Sequence, residues 1–317
     1  MFLASLFMKL ISPITNQFSQ MEIRLLKEIE QNRVLVAQSH IHNLRRKGML
    51  ENLEDAEFKV FSQWGEDGII QYLISRIAIE NKIFVEFGVQ DYSESNTRFL
   101  MINDNWTGLV IDSNLESIKH IRSQEYYWKW DLTAVCDFVT VENINDLIKK
   151  TGIIGSIGIL SIDIDGNDYW VWNAISAVSP QIVIVEYNSS FGNEHTVTIP
   201  YQPDFSREKA HFSHLYWGAS LPAFCGLASQ KGYIYVGSNS AGSNAFFVRK
   251  DSAENIKECD FHKQFRQSKF RDSRDENGNL SFISNQNKLE IIKNMYLFDV
   301  DSKQTLQIKD IYSKKIL

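Results

Sequence analysis

The segment from Ile83 to Asn96 most constrains how this chain can fold. It opens with an apolar run, Ile-Phe-Val-Glu-Phe, whose β-branched and aromatic residues predict a buried parallel strand. The run ends in Glu86 and Gly88, and a polar stretch separates it from a helix predicted over residues 97–103. A strand, a tight turn at glycine and a helix start form the nucleotide crevice of a doubly wound sheet, where free helix amides face the ligand.

The glycine pattern limits what this crevice can bind. A dinucleotide turn has the pattern G-x-G-x-x-G because a pyrophosphate lies on it, whereas here no glycine follows Gly88 until Gly108. A cofactor without phosphates needs one close approach to the backbone and an acid for its cationic or hydroxyl groups. The pair Glu86-x-Gly88 therefore favours S-adenosylmethionine over NAD, and the alternative at this stage is a plain turn.

Two further segments are predicted to border the crevice. The strand Gly108–Asp112 ends in an acid 24 residues after Gly88, near the offset at which an acid binds ribose hydroxyls. Upstream, Ser-Gln-Trp-Gly-Glu-Asp precedes an apolar-periodic helix, and its acids suit the first helical turn. Helix capping is the favoured interpretation of those acids, and the alternative is that Gln63 and Glu66 face the cofactor.

Acidic residues also follow two later strands. Asp163, Asp165 and Asp168 come directly after a buried run that begins at Ser156. Buried acids are unfavourable unless they bind something, and such sheets bind ligands at the carboxyl ends of their strands. The next strand, 181–188, carries Glu186 near its end, which we expect beside Asp165. These carboxylates suit Mg²⁺, ribose hydroxyls or a general base, and the sequence does not separate the three.

The remaining pattern predicts the outline of an α/β fold. We predict a third strand over 126–135, a helix over 142–150, and a hairpin of strands at 232–236 and 244–249, which closes a parallel five-stranded sheet. A long aromatic and polar connection at 189–220 contains His195 and suits a sugar-like substrate. The charged run at 266–279 predicts a mobile surface loop, and no chemistry is assigned to the tail.

Composition restricts the partners and the compartment. The net charge of −6 argues against nucleic-acid binding, and the three widely spaced cysteines indicate a reducing compartment, so we expect a cytoplasmic protein. The apolar stretch Met1–Ile14 is too short to span a bilayer. It fits either a peripheral membrane anchor or an amphipathic helix on a partner subunit, and Pro13 predicts a break between two helices. Homo-oligomer formation through these helices is expected on the same pattern.

The motifs together resemble those of class I S-adenosylmethionine-dependent methyltransferases. More narrowly, Ser-Gln-x-Gly-Glu-Asp at 62–67, Phe-Val-Glu-Phe-Gly at 84–88, Trp-Thr-Gly-Leu-Val-Ile-Asp at 106–112 and Asn-Ala-Phe-Phe-Val-Arg at 244–249 resemble the FkbM-like methyltransferases. The resemblance covers roughly residues 58–250. One departure is that the second glycine of the usual first motif is replaced by Tyr92, which predicts a crowded turn.

The resemblance implies a Rossmann-like, seven-stranded, mostly parallel sheet with a reversed last strand. It places Glu86 and Gly88 at the methionine part of the cofactor and Asp112 at its ribose, with Asp163 in the same crevice. It implies Asp165 and Glu186 as metal ligands, with Asp168 as a base. Asp165, Asp168 or His195 is then expected to take the proton of the substrate hydroxyl.

The sequence therefore predicts an N-terminal helical arm (1–57), a methyltransferase-like domain (58–250) and a C-terminal extension (251–317). The expected activity is transfer of a methyl group from S-adenosylmethionine to a hydroxyl of a sugar, glycan or related small molecule. The alternatives are an NAD- or nucleotide-linked sugar-modifying enzyme and a non-catalytic assembly protein on a Rossmann fold.

Overall fold

The computed structural model describes residues 2–313, and for residues 2–16, 19, 23, 285 and 286 it describes the backbone alone. Its centre is a seven-stranded sheet in the order β3-β2-β1-β4-β5-β8-β7. The strands of this sheet are β1 (Ile83–Phe87), β2 (Thr107–Asp112), β3 (Leu132–Cys136), β4 (Gly155–Ile162), β5 (Val178–Glu186), β7 (Tyr233–Ser238) and β8 (Asn244–Arg249). Strands β1 to β5 pair in parallel, and β8 lies antiparallel between β5 and β7. The Rossmann-like sheet with a reversed last strand is therefore confirmed.

Helices cover both faces of the sheet and bury its apolar strands. One core cluster contains Val85, Leu160 and Val183, and the cluster on the other face contains Phe84, Ile159 and Ile184. Neighbouring strand residues thus point to opposite faces, as the continuous apolar runs require. The helices are α1 (Phe2–Arg46), α2 (Glu66–Arg76), α3 (Arg98–Asp104), α4 (Leu115–Ser123), α5 (Glu125–Lys129), α6 (Ile144–Lys150), α7 (Asp168–Ala174), α8 (Arg207–Ala210), α9 (Leu221–Gln230), α10 (Phe261–Gln264), α11 (Asn285–Ile291) and α12 (Ile308–Ile311).

The third strand was predicted to start at residue 126, which is six residues before the start of β3 in the structure. Residues 125–129 form α5, and the strand itself starts only at Leu132. The aromatic residues of this segment favour a strand by propensity, but Tyr126 packs its ring against Tyr92 at 5.9 Å between centroids. A tertiary contact outweighs a propensity of this size.

The N-terminal arm is one helix, α1, so the predicted break at Pro13 is wrong. A proline removes one amide donor from the helical ladder, which can kink a helix without ending it. Near its end α1 buries Ala37, Ile41 and Leu44 against the body. The side chains of the apolar stretch Met1–Ile14 lie outside the described part. Between residues 18 and 36, α1 exposes large apolar side chains, which are Phe18, Met21, Leu25, Leu26, Ile29, Leu35 and Val36.

Pairing of two chains through this helix stays a prediction. Within residues 2–313, no helix combines the length and the apolar character needed to cross a bilayer.

The C-terminal extension packs onto the long connection after β5. Strand β9 (Tyr296–Asp299) pairs with β10 (Gln304–Gln307) and with the short β6 (Val197–Thr198) in a second, three-stranded sheet. The extension and the 189–220 connection therefore share one core cluster, which includes Phe191, Leu297 and Tyr312.

Candidate functional site

Two adjoining cavities open at the carboxyl edge of the seven-stranded sheet. The larger has a volume of about 400 Å³ and the smaller about 150 Å³. Gly88, Gln90, Asp163 and Asp165 line both cavities and so form the wall between them. The larger volume lies in the range of small-molecule sites.

The smaller cavity is acidic on one side and apolar on the other. Asp112 at the end of β2, Asp137 after β3 and Asp163 after β4 line it, together with the apolar Phe138 and Val139. No lysine, arginine or histidine of the described residues lies in its wall. Such a lining favours hydroxyl groups and a cation over a phosphate.

Gly88 brings the turn after β1 against the loop after β4. Its φ is +73°, and a Cβ atom built on it would lie 1.5 Å from the carbonyl oxygen of Asp163. No side chain fits there, so glycine is required for this backbone contact as well as for the turn. The contact fixes the wall shared by the two cavities.

Asp112 lies in the smaller cavity, and its carboxylate is oriented by the backbone. One oxygen accepts from the amide of Gln90 and the other from the amide of Asn114, each at 2.8 Å. Each carboxylate oxygen has a second lone pair, so Asp112 can still accept hydrogen bonds from a ligand.

The turn is not crowded by Tyr92, contrary to the prediction. Tyr92 has a φ of +63° and is fully buried in the core below the turn. Its hydroxyl lies 2.9 Å from that of Thr97. The bulky residue at the place of the second glycine therefore points away from the cavities.

Glu86 lies behind the cavities and lines neither of them. Its carboxylate accepts from the amides of Asn96 (2.8 Å) and Thr97 (3.2 Å), and also from the Thr97 hydroxyl. Burial raises the pKa of Glu86 to about 7 against these hydrogen bonds. Glu86 orders the start of α3, and its expected contact with the methionine part of a cofactor stays a prediction.

Three carboxylates meet beside the wall that the cavities share, where Asp163 and Asp165 line both cavities and Glu186 lines the larger one. Asp163, Asp165 and Glu186 each offer an oxygen within 4.8 Å of the other two. Burial, followed by the nearby negative charges, raises the pKa of Asp163 and that of Glu186 well above their usual range. A hydrogen bond joins these two side chains, and the negative charge of each raises the pKa of the other.

The third carboxylate is held by an arginine that the sequence reasoning missed. Asp165 has a φ of +55°, a left-handed conformation that aspartate tolerates better than most residues. Arg207 Nη1 donates to Asp165 Oδ1 at 2.7 Å, and its guanidinium lies over the Trp217 ring at 4.8 Å. A charged residue at the start of a short helix in a polar connection gives no sequence signal for this role.

Asp168 and His195 line neither cavity. Asp168 is buried, and its two oxygens accept from the amides of Ile164 and Gly166 at 2.9 Å each. Burial raises its pKa to about 6. The His195 ring packs edge-on against Tyr312. Two of the three expected bases are therefore outside the cavities, and Asp168 instead shapes the loop that carries Asp165.

The two candidates near the start of α2 lie in different places. Gln63 lines the larger cavity. Glu66 is buried and accepts from the side-chain amides of Asn239 (2.6 Å) and Asn244 (2.9 Å). It therefore ties α2 to the β7–β8 hairpin and lines neither cavity.

The C-terminal extension covers the larger cavity, although no chemistry was assigned to it. Residues 266–283, which we call the strap, replace the predicted mobile loop. Phe270 of the strap packs edge-on against Trp64 at 4.9 Å between ring centroids. Asp272 and Arg274 of the strap and Lys288 of α11 line the cavity. The one available signal was an aromatic residue, Phe270, within a strongly polar run.

No protein-family model matches the sequence, and no curated protein is similar to it. Several solved structures are similar in fold. An S-adenosylmethionine-dependent methyltransferase from Clostridium acetobutylicum is 9% identical, with 58% of this chain and 90% of that chain aligned and a TM-score of 0.38. The N-terminal domain of EvdMO1 with SAH bound is 8% identical over 70% of this chain and 94% of that chain, with a TM-score of 0.38. An O-methyltransferase family protein from Burkholderia thailandensis is 10% identical over 70% of this chain and 58% of that chain, with a TM-score of 0.36.

Proposed function

We propose that the chain is an S-adenosylmethionine-dependent O-methyltransferase of FkbM-like type, acting on a hydroxyl of a sugar, glycan or related small molecule. The lining of the smaller cavity carries this proposal. It combines carboxylates at the ends of β2, β3 and β4 with an apolar wall, and none of its described residues is basic. A pyrophosphate would lack a counter-charge there, whereas a nucleoside sulfonium meets acids that suit its hydroxyls and its positive charge.

The residues present fit that cofactor. Asp112 would bind the ribose hydroxyls, Phe138 and Val139 would contact the adenine, and Gly88 with Asp163 would border the methionine part. When bound, the cofactor supplies a methyl group on a sulfonium. Because the two cavities adjoin at residues that line both, a substrate in the larger cavity would lie next to the cofactor in the smaller one.

The Asp163–Glu186 pair is the best-placed base for the substrate hydroxyl. Both residues line the larger cavity, whereas Asp168 and His195 do not. Arg207 holds the Asp165 carboxylate beside the pair. The negative charge of Asp165 therefore stays in place while the Asp163–Glu186 pair takes the hydroxyl proton. The same three carboxylates would hold Mg²⁺, a hard cation that prefers oxygen ligands and would lower the pKa of the hydroxyl.

Calorimetric titration of the full chain with S-adenosylhomocysteine tests the proposal. We expect binding that Asp112→Ala weakens by about tenfold or more, because the ribose loses a charged acceptor. Asp131→Ala is the matched control. Asp131 lies just before β3, is exposed, accepts a hydrogen bond from the Thr107 hydroxyl and lines neither cavity. Two results would contradict the methyl-donor assignment. One is no binding of S-adenosylhomocysteine at millimolar concentration, and the other is tighter binding of NAD than of S-adenosylhomocysteine in the same titration.

A further inference from the structure

Lys288 is a buried cation that the proposed reaction does not use. It lines the larger cavity and is 5% exposed. Its Nζ donates to the carbonyl oxygen of Phe270 at 2.8 Å. No carboxylate of the described residues forms a salt bridge with it, although the charge of Asp272 attracts it. An ammonium has three donors, so two remain for another group.

The other two strong bases of this cavity differ from Lys288. Arg207 is paired with Asp165 at 2.7 Å, and Arg274 is paired with Asp272 at 2.5 Å. Only Lys288 of the three lacks a carboxylate partner among the described residues. Burial, followed by the nearby charge of Arg207, lowers the pKa of Lys288 to about 8, and the attraction of Asp272 offsets this only in part.

A purely structural role does not account for the charge. The hydrogen bond to Phe270 holds the strap above the cavity, and a neutral amide side chain could make it equally well. The positive charge costs more in desolvation and in repulsion from Arg207 than Asp272 returns, and an anion entering the cavity would offset that cost.

The sheet edge and the C-terminal extension contribute different charges to the cavity, and the one acid of the extension among the described lining residues, Asp272, is paired with Arg274. The acids of the sheet edge, Asp163 and Glu186, line the larger cavity, and Asp163 lines the smaller cavity as well. The cations Lys288 and Arg274 come from the C-terminal extension that covers the cavity. A molecule with a hydroxyl at one end and an anionic group at the other would match both.

We propose that Lys288 and Arg274 form a subsite for an oxyanion, so that the acceptor carries a carboxylate, phosphate or sulfate group besides the hydroxyl that is methylated. Lys288 supplies the free ammonium donors, and Arg274 supplies guanidinium donors that Asp272 leaves unused. That the bound anion belongs to the methyl acceptor rests on the proposed function, whereas the oxyanion subsite itself does not.

Calorimetry on the full chain tests the subsite with three probes: inorganic phosphate, D-glucuronate and D-glucose. We expect phosphate and glucuronate to bind, and glucose to bind at least about tenfold more weakly than glucuronate. Lys288→Met should weaken binding of both anions by about tenfold or more. Lys293→Met is the matched control, because this nearby lysine is exposed and pairs with Glu290 on the surface.

Three results would overturn the subsite. These are no phosphate binding at 100 mM, equal binding of glucose and glucuronate, or unchanged anion binding in Lys288→Met. If Lys288→Met does not fold, Arg274→Gln takes its place with the same expected loss. Titration of the same samples with S-adenosylhomocysteine keeps the two proposals apart, since anion binding without nucleoside binding would remove the methyl donor and leave the subsite.

Discussion

The acids at the end of β1 and those at the ends of β4 and β5 occupy similar places in the sheet but do different things. Glu86 is surrounded by donors from Asn96, Thr97 and Ser161. No backbone amide of the described chain donates to Asp163 or Glu186, and both face a cavity. An acid at a strand end is therefore structural or chemical according to the donors that neighbouring segments bring to it.

The two regions meet at Gly88, and the largest expected effect lies there. Gly88→Ala would place a Cβ atom 1.5 Å from the Asp163 carbonyl oxygen, and neither backbone can move without displacing a strand. We expect a loss of more than about 4 kcal/mol in the free energy of unfolding, or failure to fold. Urea unfolding followed by circular dichroism measures it.

Gly152→Ala is the matched control for Gly88→Ala. Gly152 also has a positive φ, +83°, but nothing lies within 4 Å of its added Cβ. Gly152→Ala should therefore be destabilised only by the strain of a left-handed alanine, which costs about 1 to 2 kcal/mol in the free energy of unfolding. Equal losses in the two variants would show that strain, and not the contact between the two loops, makes Gly88 necessary.

The second largest loss of stability is expected on replacing Glu86. Glu86→Ala leaves the buried amides of Asn96 and Thr97 without an acceptor, which costs about 1 to 3 kcal/mol for each. We expect a total loss of about 2 to 6 kcal/mol in urea unfolding. Restoration of wild-type stability by Glu86→Gln would not contradict this, but a loss below 1 kcal/mol in Glu86→Ala would.

This difference between the acids explains how far the sequence could predict the molecule. Strand runs and turn residues are local, so the sheet and the convergence of Asp163, Asp165 and Glu186 followed from spacing alone. The roles of Glu86 and Asp168 depend on which amides approach them from residues 96–97 and 164–166, and side-chain direction at a turn is not periodic. Arg207 and Lys288 reach the cavity from short helices far along the chain, which no local pattern reports.

The buried acids also predict a pH dependence of stability. Burial raises the pKa of Glu86 to about 7 and those of Asp67 and Asp168 to about 6, above their values in an unfolded chain. The folded state therefore binds protons that the unfolded state has released between about pH 4.5 and pH 7. Stability should fall as the pH rises through this window, by up to about 1.4 kcal/mol per pH unit for each group.

Thermal unfolding between pH 5 and pH 8 checks that sign. The melting temperature should be higher at pH 5 than at pH 8, and Glu86→Gln should flatten the upper part of the profile because it removes the group with the highest of these three pKa values. A melting temperature that rises steadily towards pH 8 would mean that the hydrogen bonds to Glu86, Asp67 and Asp168 outweigh their burial.

The smallest effect on stability is expected on replacing Glu186, which faces the larger cavity. Glu186→Gln keeps a hydrogen-bonding partner for Asp163 and removes one of two repelling charges, so the free energy of unfolding should change by less than about 1 kcal/mol. The same variant should lose binding of Mg²⁺, measured by titration with the metal alone, because one of three converging oxygens is no longer anionic. A stability loss as large as that of Glu86→Ala would place Glu186 with the structural acids. Unchanged Mg²⁺ binding would remove Glu186 from the ligands and leave it as the partner of Asp163 in proton transfer.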